Sequence, residues 1–96
     1  MSAYMIVHLE ITDPAAFDAY RKVAGPTLAA YGGKALAAFG RFEVLEGMMH
    51  PKSVLVIEFP SVEQAKKWYA SPEYAPLIPQ RQQAANSTVI LTEGLA

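Results

Sequence analysis

The chain has 96 residues, 52% of them hydrophobic and 18% charged, with a formal net charge of -1 and no cysteine. This apolar content excludes intrinsic disorder, the scattered basic residues offer no stripe for nucleic acid, and the lack of thiols excludes disulfides and thiolate chemistry. The length predicts one domain over residues 1–96, which buries only a limited share of its surface when it stands alone.

The N-terminal third predicts a strand followed by a helix. The strand covers residues 4–10, where polar residues break the apolar run, so we expect neither a signal peptide nor a membrane span, and the cytoplasm is the default location. Asp13 and Pro14 predict a helix start, because aspartate caps a helix N-terminus and proline suits the first helical position. The helix is expected to kink or restart at Pro26, which has no N–H to donate, and to end at the glycine pair 32–33.

The middle of the chain predicts a hairpin. Residues 34–39 and 42–46 are expected to form one strand bent at Gly40, and a loop leads from it into a third strand at Ser53–Phe59. Within this third strand Glu58 is a lone carboxylate among apolar residues, where an ionised group is costly unless it is paired or reaches water. Glu58 is therefore a candidate site residue.

The last third predicts a second helix, an irregular segment and a final strand. Ser61 and Gln64 form a capping-box pattern at the start of the helix, and the Ser-Pro-Glu sequence at 71–73 ends it and caps a short new helix. Two prolines predict irregular structure over residues 76–85, and residues 88–93 are expected to form the last strand.

The order β-α-β-β-α-β predicts an α+β ferredoxin-like fold, in which both helices pack on one face of a four-stranded antiparallel sheet. Side chains alternate along a strand, so neighbouring residues face opposite sides of the sheet. The second side is as apolar as the first, whereas a sheet face in water should be polar, so a second copy of the chain is expected to cover it. The residues of that second side are Tyr4, Ile6, His8, Val54, Val56 and Glu58.

Several segments resemble the bacterial family of unknown function DUF1330. The most specific is the sequence WYASPEY at 68–74 followed by Arg81. The other matching segments are YGGK at 31–34, LEG at 45–47, IEFPS at 57–61 and EG at 93–94. That family is similar to the dimeric α/β barrels, which include antibiotic-biosynthesis monooxygenases, muconolactone isomerases and haem-degrading enzymes. The resemblance implies a homodimeric α/β barrel with a cleft beside each sheet, but it implies no reaction, because fold does not determine function.

The chain departs from these relatives in two places. Residues 37–41 lack the second glycine and the larger side chain that family members often carry before the hairpin, so the pocket is expected to differ in shape. Haem-degrading relatives place a histidine beyond their tryptophan, whereas no histidine follows Trp68. We therefore expect no cofactor, since the chain also lacks a glycine-rich phosphate loop and a metal-ligand motif.

His8 and Glu58 form the first candidate site. Both fall on the second side of the sheet, and a neutral imidazole beside a carboxylate is a proton acceptor with a fixed tautomer. The alternative is a buried pair that only satisfies its own polar groups at the dimer interface. Tyr4 shares this side of the sheet and is a candidate ligand-binding residue.

Two arginines are further candidates. Arg41 is suited to binding a carboxylate or enolate oxygen, or to a surface ion pair with Glu43 or Glu46. Arg81 is suited to anchoring an anionic ligand, or to pairing with Glu73 or the carboxylates of the C-terminal tail. The sequence leaves both alternatives open for each arginine.

Trp68, Tyr69 and Tyr74 form an aromatic patch. We expect Trp68 to belong to the core, and the patch is also suited to a wall beside a planar ligand, so Tyr69 and Tyr74 are candidate ligand-binding residues. His50 lies in a loop without partners at metal-ligand spacing, so no metal site is expected.

Two functions of different class follow. The first is a homodimeric protein that binds a small aromatic or acidic metabolite, with no nucleic-acid or membrane partner. The second is a cofactor-independent enzyme of isomerase or monooxygenase type, in which His8 removes a proton from a phenolic or enolisable substrate and Arg41 steadies the oxyanion. The residues leave the choice open, and the binding protein is our working hypothesis.

Overall fold

The computed structural model describes residues 1–95, which form a four-stranded antiparallel sheet with its helices packed on one side. The elements are β1 (Ala3–Ile11), α1 (Pro14–Ala30), β2 (Lys34–Ala38), β3 (Ser53–Phe59), α2 (Val62–Tyr69), a short 3-10 helix (Ala75–Leu77), α3 (Ile78–Ala84) and β4 (Ala85–Glu93). No helix within residues 1–95 is both long and apolar enough to cross a membrane. The strand order is β2-β3-β1-β4 with every neighbouring pair antiparallel, so the predicted α+β ferredoxin-like fold is confirmed.

Helix α1 begins where the sequence predicts. The Asp13 carboxylate accepts a hydrogen bond from a first-turn N–H at 3.1 Å and so satisfies one of the free amides there. Of the kink or restart predicted at Pro26, the restart does not occur: α1 runs without a break through Pro26, whose missing N–H removes only one hydrogen bond. In the same turn the Thr27 hydroxyl donates to the Ala24 carbonyl at 2.7 Å. Gly32 follows the helix with a φ of 81°, in the left-handed region that glycine favours.

Strand β2 is shorter than predicted. Its ladder with β3 ends at Ala38, which lies opposite Leu55, near the beginning of β3. Phe39 then takes a φ of 59°, which does not continue an extended strand. The predicted continuation over residues 42–46 is therefore wrong, since β3 has almost no residues left to pair with it. Residues 40–52 instead form an exposed connection, which we call the β2–β3 arm.

The second half of the chain corrects three further predictions. The Ser61 hydroxyl oxygen accepts from the Gln64 N–H at 3.1 Å, but the Gln64 side chain donates to the Tyr31 carbonyl at 3.0 Å rather than back to the cap. Only half of the capping box therefore forms. The segment predicted to be irregular contains α3, because Pro79 lies in its first turn, where no N–H is needed, and β4 begins earlier than predicted, at Ala85.

The hydrophobic core lies between the sheet and the helices. Met5, Val7 and Leu9 of β1 are buried under the helices, and the residues between them are half-buried on the other side, as the alternation predicts. Phe17 of α1 and Trp68 of α2 close the core from the helical side. We call the side of the sheet away from the helices the open face.

Candidate functional site

Helix α3 places Arg81 inside the protein. The side chain is only 6% exposed and lies on the buried side of the helix together with Ala84. Its Nη1 donates to the Tyr74 hydroxyl at 2.8 Å. The Nε–H is buried and has no hydrogen-bond partner among residues 1–95. Arg81 is thus a buried cation with a free donor.

Tyr74 and Tyr20 extend this polar group. Their hydroxyl oxygens lie 2.7 Å apart, so one phenol donates to the other. Tyr74 is 1% exposed, and its ring stacks on Trp68 with the ring centroids 3.9 Å apart. The Trp68 indole N–H donates to the Thr27 hydroxyl oxygen at 3.1 Å, which ties the aromatic wall to α1. We call Arg81, Tyr74 and Tyr20 the arginine cluster.

The surroundings keep Arg81 charged and Tyr20 neutral. Burial raises the pKa of Tyr20, and the neighbouring Tyr74 raises it further. Burial acts to lower the pKa of Arg81, but the neighbouring phenols of Tyr69, Tyr74 and Tyr20 outweigh it, so the pKa of Arg81 lies above its ordinary value. At neutral pH the cluster therefore presents a positive charge and hydroxyl donors.

Two cavities lie between the helices and the sheet. The inner cavity has a volume of about 50 Å³, and Arg81 and Tyr74 are in its wall. The outer cavity has a volume of about 280 Å³ and lies between α1 and β2. The cavities adjoin, because they share the wall residues Phe17, Tyr20, Leu55, Ile57 and Trp68. Both cavities are largely apolar, and the three residues of the arginine cluster lie in the wall of the inner one. We call the two neighbouring cavities the pocket.

Phe39 lies in the wall of the outer cavity on a strained backbone. Its φ of 59° is in the left-handed region, which is unfavourable for a residue with a bulky side chain. The ring packs edge-on against Phe17 with centroids 6.0 Å apart, and the Arg21 guanidinium carbon lies 5.1 Å from the ring centre. These contacts hold the Phe39 ring beside the pocket.

On the open face the structure separates His8 from Glu58. His8 lies opposite Val54 in the β1–β3 ladder, and Glu58 lies opposite Tyr4, four residues away along β1. At about 3.3 Å per residue the two side chains begin roughly 13 Å apart, so the predicted pair does not form. The Tyr4 hydroxyl donates to Glu58 Oε2 at 3.1 Å instead, and this hydrogen bond with the carboxylate raises the pKa of Tyr4. The prediction failed because strand parity determines the face of a residue and not its partner.

Arg41 lies apart from both groups. It is exposed on the β2–β3 arm, beside a surface depression. In the part of the chain that the structure describes, Lys22 with Asp18 is the only ion pair. Of the alternatives left open, the ion pair of Arg41 with Glu43 or Glu46 does not form, and Arg81 forms no ion pair with Glu73 or Glu93. The carboxylate of Ala96 lies outside the described residues.

Glu73 and the two histidines contact other parts of the structure than the arginine cluster. Glu73, expected beside Arg81, accepts a hydrogen bond from the Tyr31 hydroxyl at 2.6 Å. His8 and His50 line one surface depression of about 260 Å³. No group of three His, Cys, Asp or Glu side chains in residues 1–95 could hold a metal ion.

The candidate residues named from the sequence lie in three places. Tyr69, Tyr74 and Arg81 lie on the helical side, Tyr4, His8 and Glu58 lie on the open face, and Arg41 lies on the arm.

Tyr20 is a site residue that the sequence analysis did not identify as functional. Its helical spacing with Phe17 and Ala24 indicates only that it belongs to the buried side of α1. A tyrosine in a buried stripe needs a hydrogen-bond partner for its hydroxyl, and this requirement was the available signal. The partner, Tyr74, is 54 residues away along the chain, so it could not be identified without the fold.

Comparisons with known proteins give a family and a fold. The family described as Domain of unknown function (DUF1330) matches residues 2–95. The RPA0582 protein of unknown function from Rhodopseudomonas palustris is 26% identical, with a TM-score of 0.79 over 99% of this chain and 83% of that one. A dimeric ferredoxin-like protein of unknown function from Jannaschia sp. CCS1 is 13% identical, with a TM-score of 0.67 over 98% of this chain and 100% of that one.

SnoaB, a cofactor-independent oxygenase from Streptomyces nogalater, is 14% identical, with a TM-score of 0.65 over 99% of this chain and 94% of that one. At this low identity the likeness to SnoaB and to the Jannaschia protein concerns the fold alone. The comparison with curated proteins found no match. The family match spans nearly the whole sequence, and the chain therefore belongs to the family Domain of unknown function (DUF1330).

Proposed function

We propose that this chain is a homodimeric protein that binds a small molecule in the pocket between its helices and its sheet. The strongest support is the buried guanidinium of Arg81, which has an unpaired Nε–H and belongs to a residue that lines an apolar cavity. Buried charges are normally paired, and an apolar cavity with a few convergent polar groups is the usual form of a ligand site. A bound ligand would supply the missing partner.

The pocket has the size of a small ligand. An apolar cavity of about 150 Å³ holds one benzene ring. The outer cavity, at about 280 Å³, is therefore wide enough for one ring or a short aliphatic chain. The inner cavity, at about 50 Å³, admits only a head group of a few atoms. These volumes support a ligand with an apolar body and one small polar end.

The open face supports the homodimer. At its centre Ile6 of β1 lies between Val56 of β3 and Ile90 of β4, and Ile90 is 47% exposed in a single chain. Leu45 and Met48 of the β2–β3 arm are each 87% exposed. Exposed apolar surface of this kind marks an interface, and a second copy placed face to face would cover the open face. The similar protein from Jannaschia sp. CCS1 is described as dimeric.

The geometry supports binding more than catalysis. Within the described residues no histidine, aspartate or glutamate lines the two cavities of the pocket. Tyr20 keeps its proton at neutral pH, because burial raises its pKa, so it is not a base there. A reaction with His8 as base would need its substrate on the open face, away from the pocket. Binding is therefore the function that we propose.

The pocket is tested by NMR titration of the 15N-labelled chain with benzoate, hexanoate, indole and benzyl alcohol. We expect saturable shifts from at least one probe, with one molecule bound per chain. Leu55→Phe adds a ring to the wall that both cavities share and should abolish the shifts, and Ala24→Leu is a second blocking variant at the outer cavity. Val23→Phe, on the exposed side of α1, is the control and should leave them unchanged. Absence of saturable binding by any probe, or binding that survives both blocking variants, would overturn the proposed pocket.

The dimer is tested separately by sedimentation velocity of the unliganded chain at micromolar concentration. We expect a species with twice the chain mass. A single species with the mass of one chain would overturn the homodimer and leave the pocket to be judged by the titration.

A further inference from the structure

The guanidinium of Arg81 has more donors than the protein provides acceptors. Nη1 is bonded to the Tyr74 hydroxyl, whereas the buried Nε–H has no acceptor in residues 1–95. A buried donor without a partner is unfavourable, and more so when it belongs to a charged group. The one ion pair in the described chain joins Lys22 to Asp18 on the surface of α1, so no carboxylate of residues 1–95 forms an ion pair with Arg81.

The two phenols of the arginine cluster leave a second donor free. Tyr20 and Tyr74 carry two O–H protons between them, and their mutual hydrogen bond uses one. Arg81 only donates, so it accepts neither proton. Whichever phenol donates within the pair, the other keeps an O–H for which the hydrogen bonds within residues 1–95 show no acceptor. The cluster therefore has at least two donors without an acceptor in residues 1–95, and all three of its residues line the inner cavity.

The number and charge of these donors match one chemical group. A carboxylate carries two acceptor oxygens in a plane and one negative charge, and it forms strong hydrogen bonds with a guanidinium. The inner cavity, at about 50 Å³, suits such a flat group of three atoms. A phosphate ester has three terminal oxygens and more charge, and the described cluster holds only one cation to balance it.

We propose that the ligand of this pocket is a carboxylic acid bound as its carboxylate. One oxygen accepts from the Nε–H of Arg81 and the other from the free phenol O–H of the Tyr20–Tyr74 pair. The apolar body of the acid, a ring or a short aliphatic chain, occupies the outer cavity between α1 and β2. This assignment rests on the proposed function and names the ligand class for the same pocket.

The test compares acids with amides of the same shape, namely benzoate with benzamide and hexanoate with hexanamide, in NMR titrations of the unaltered chain. We expect each acid to bind about tenfold or more tightly than its amide, because only the acid brings a charge to Arg81. An amide that binds as tightly as its acid overturns the carboxylate assignment and leaves the pocket intact. Binding of indole or benzyl alcohol without binding of either acid would also overturn the carboxylate assignment and leave the pocket intact. If no compound binds, the proposed function itself fails.

Phenyl phosphate is included to separate two classes of anion. We expect it to bind more weakly than benzoate, because the inner cavity is small and the cluster holds one cation. Tighter binding of phenyl phosphate than of benzoate would overturn the carboxylate in favour of a phosphate ester.

Matched arginine variants identify the anchor. Arg81→Lys keeps a positive charge but removes the Nε–H, and we expect it to weaken benzoate binding about tenfold or more while benzamide changes little. Arg41→Lys is the control, because Arg41 is exposed on the β2–β3 arm and lines neither cavity, so it should leave benzoate binding unchanged. Arg81→Met removes the buried charge and should abolish the preference for acids, and it carries the test if Arg81→Lys does not fold. An acid preference that survives in the folded Arg81 variants, or that is lost equally with Arg41→Lys, overturns the assignment.

Discussion

The two sides of one sheet differ in how they treat polar groups. On the helical side the arginine cluster is deeply buried and has hydrogen-bond donors without acceptors in residues 1–95. On the open face Tyr4 and Glu58 are only half-buried, and they form a hydrogen bond with each other at 3.1 Å. The unsatisfied cluster lines a cavity, and the satisfied pair lies on a surface that a second copy would cover. Free donors in a closed space indicate a ligand, and apolar surface with paired polar groups indicates an interface.

Strand alternation alone produces this division. Neighbouring residues of β1 point to opposite sides, so Met5 and Val7 line the pocket, whereas Tyr4, Ile6 and His8 lie on the open face. The pattern consequently separates the pocket from the proposed interface even though both use the same strands. Changes confined to one side should therefore affect one property and leave the other.

The largest effect is expected from Val56→Asp at the centre of the open face, beside Ile6. An unpaired carboxylate in a dry interface costs several kcal/mol, and two-fold symmetry would bring two copies into it, so we expect dimer affinity to fall more than a hundredfold. Sedimentation equilibrium measures this change. Val23→Asp on the exposed side of α1 is the control and should leave association unchanged. An undiminished dimer would place the interface elsewhere.

The next effect is expected from Trp68→Ala on the helical side. The indole stacks on Tyr74 and donates to Thr27, so its loss leaves a cavity beside the arginine cluster and should lower the free energy of unfolding by about 3–5 kcal/mol. Urea denaturation measures it, with Val23→Ala as the exposed control, for which a change within about 0.5 kcal/mol is expected. A loss below about 1 kcal/mol would show that Trp68 is not part of the core.

The sequence predicted the fold better than the site for a physical reason. The ferredoxin-like order, the start of α1 and the two sides of β1 follow from periodicity and capping, which are local properties. The predicted pairing of His8 with Glu58 was wrong because the register of β1 and β3 cannot be deduced from which face each residue occupies. The predicted β2 was too long because β3 has too few residues to pair with a longer strand. Arg81 was recognised as a candidate, but its real partner, Tyr74, depends on how α3 packs.

The dependence of stability on alkaline pH tests how deeply Tyr20 is buried on the helical side. Burial raises the pKa of Tyr20 above its value of about 10 in the unfolded chain. Above about pH 10 the unfolded chain loses the Tyr20 proton while the folded chain keeps it. The contribution of Tyr20 to the free energy of unfolding is therefore complete below about pH 10 and declines as the pH rises, by at most about 1.4 kcal/mol per pH unit.

Tyr20→Phe removes this contribution, so we expect the free energy of unfolding of the variant to depend less steeply on pH between about 10 and 11.5 than that of the unaltered chain. Urea denaturation at several pH values gives both slopes. Tyr31→Phe is the comparison, because its hydroxyl bonds Glu73 on the surface, and we expect a smaller change there. Equal slopes for the Tyr20 variant and the unaltered chain would mean that Tyr20 titrates in the folded protein and is not buried as described.

The smallest effect is expected from the hydrogen bond between Tyr4 and Glu58. A double-mutant cycle with Tyr4→Phe and Glu58→Gln should give a coupling of about 0.5–1.5 kcal/mol, because both partners are half-buried and water replaces part of what is lost. On the helical side Tyr74→Phe leaves an Arg81 donor without an acceptor, so it should cost more than Tyr4→Phe. The reverse order would mean that Glu58 is desolvated more strongly than Arg81, which would move the critical polar group from the pocket to the open face.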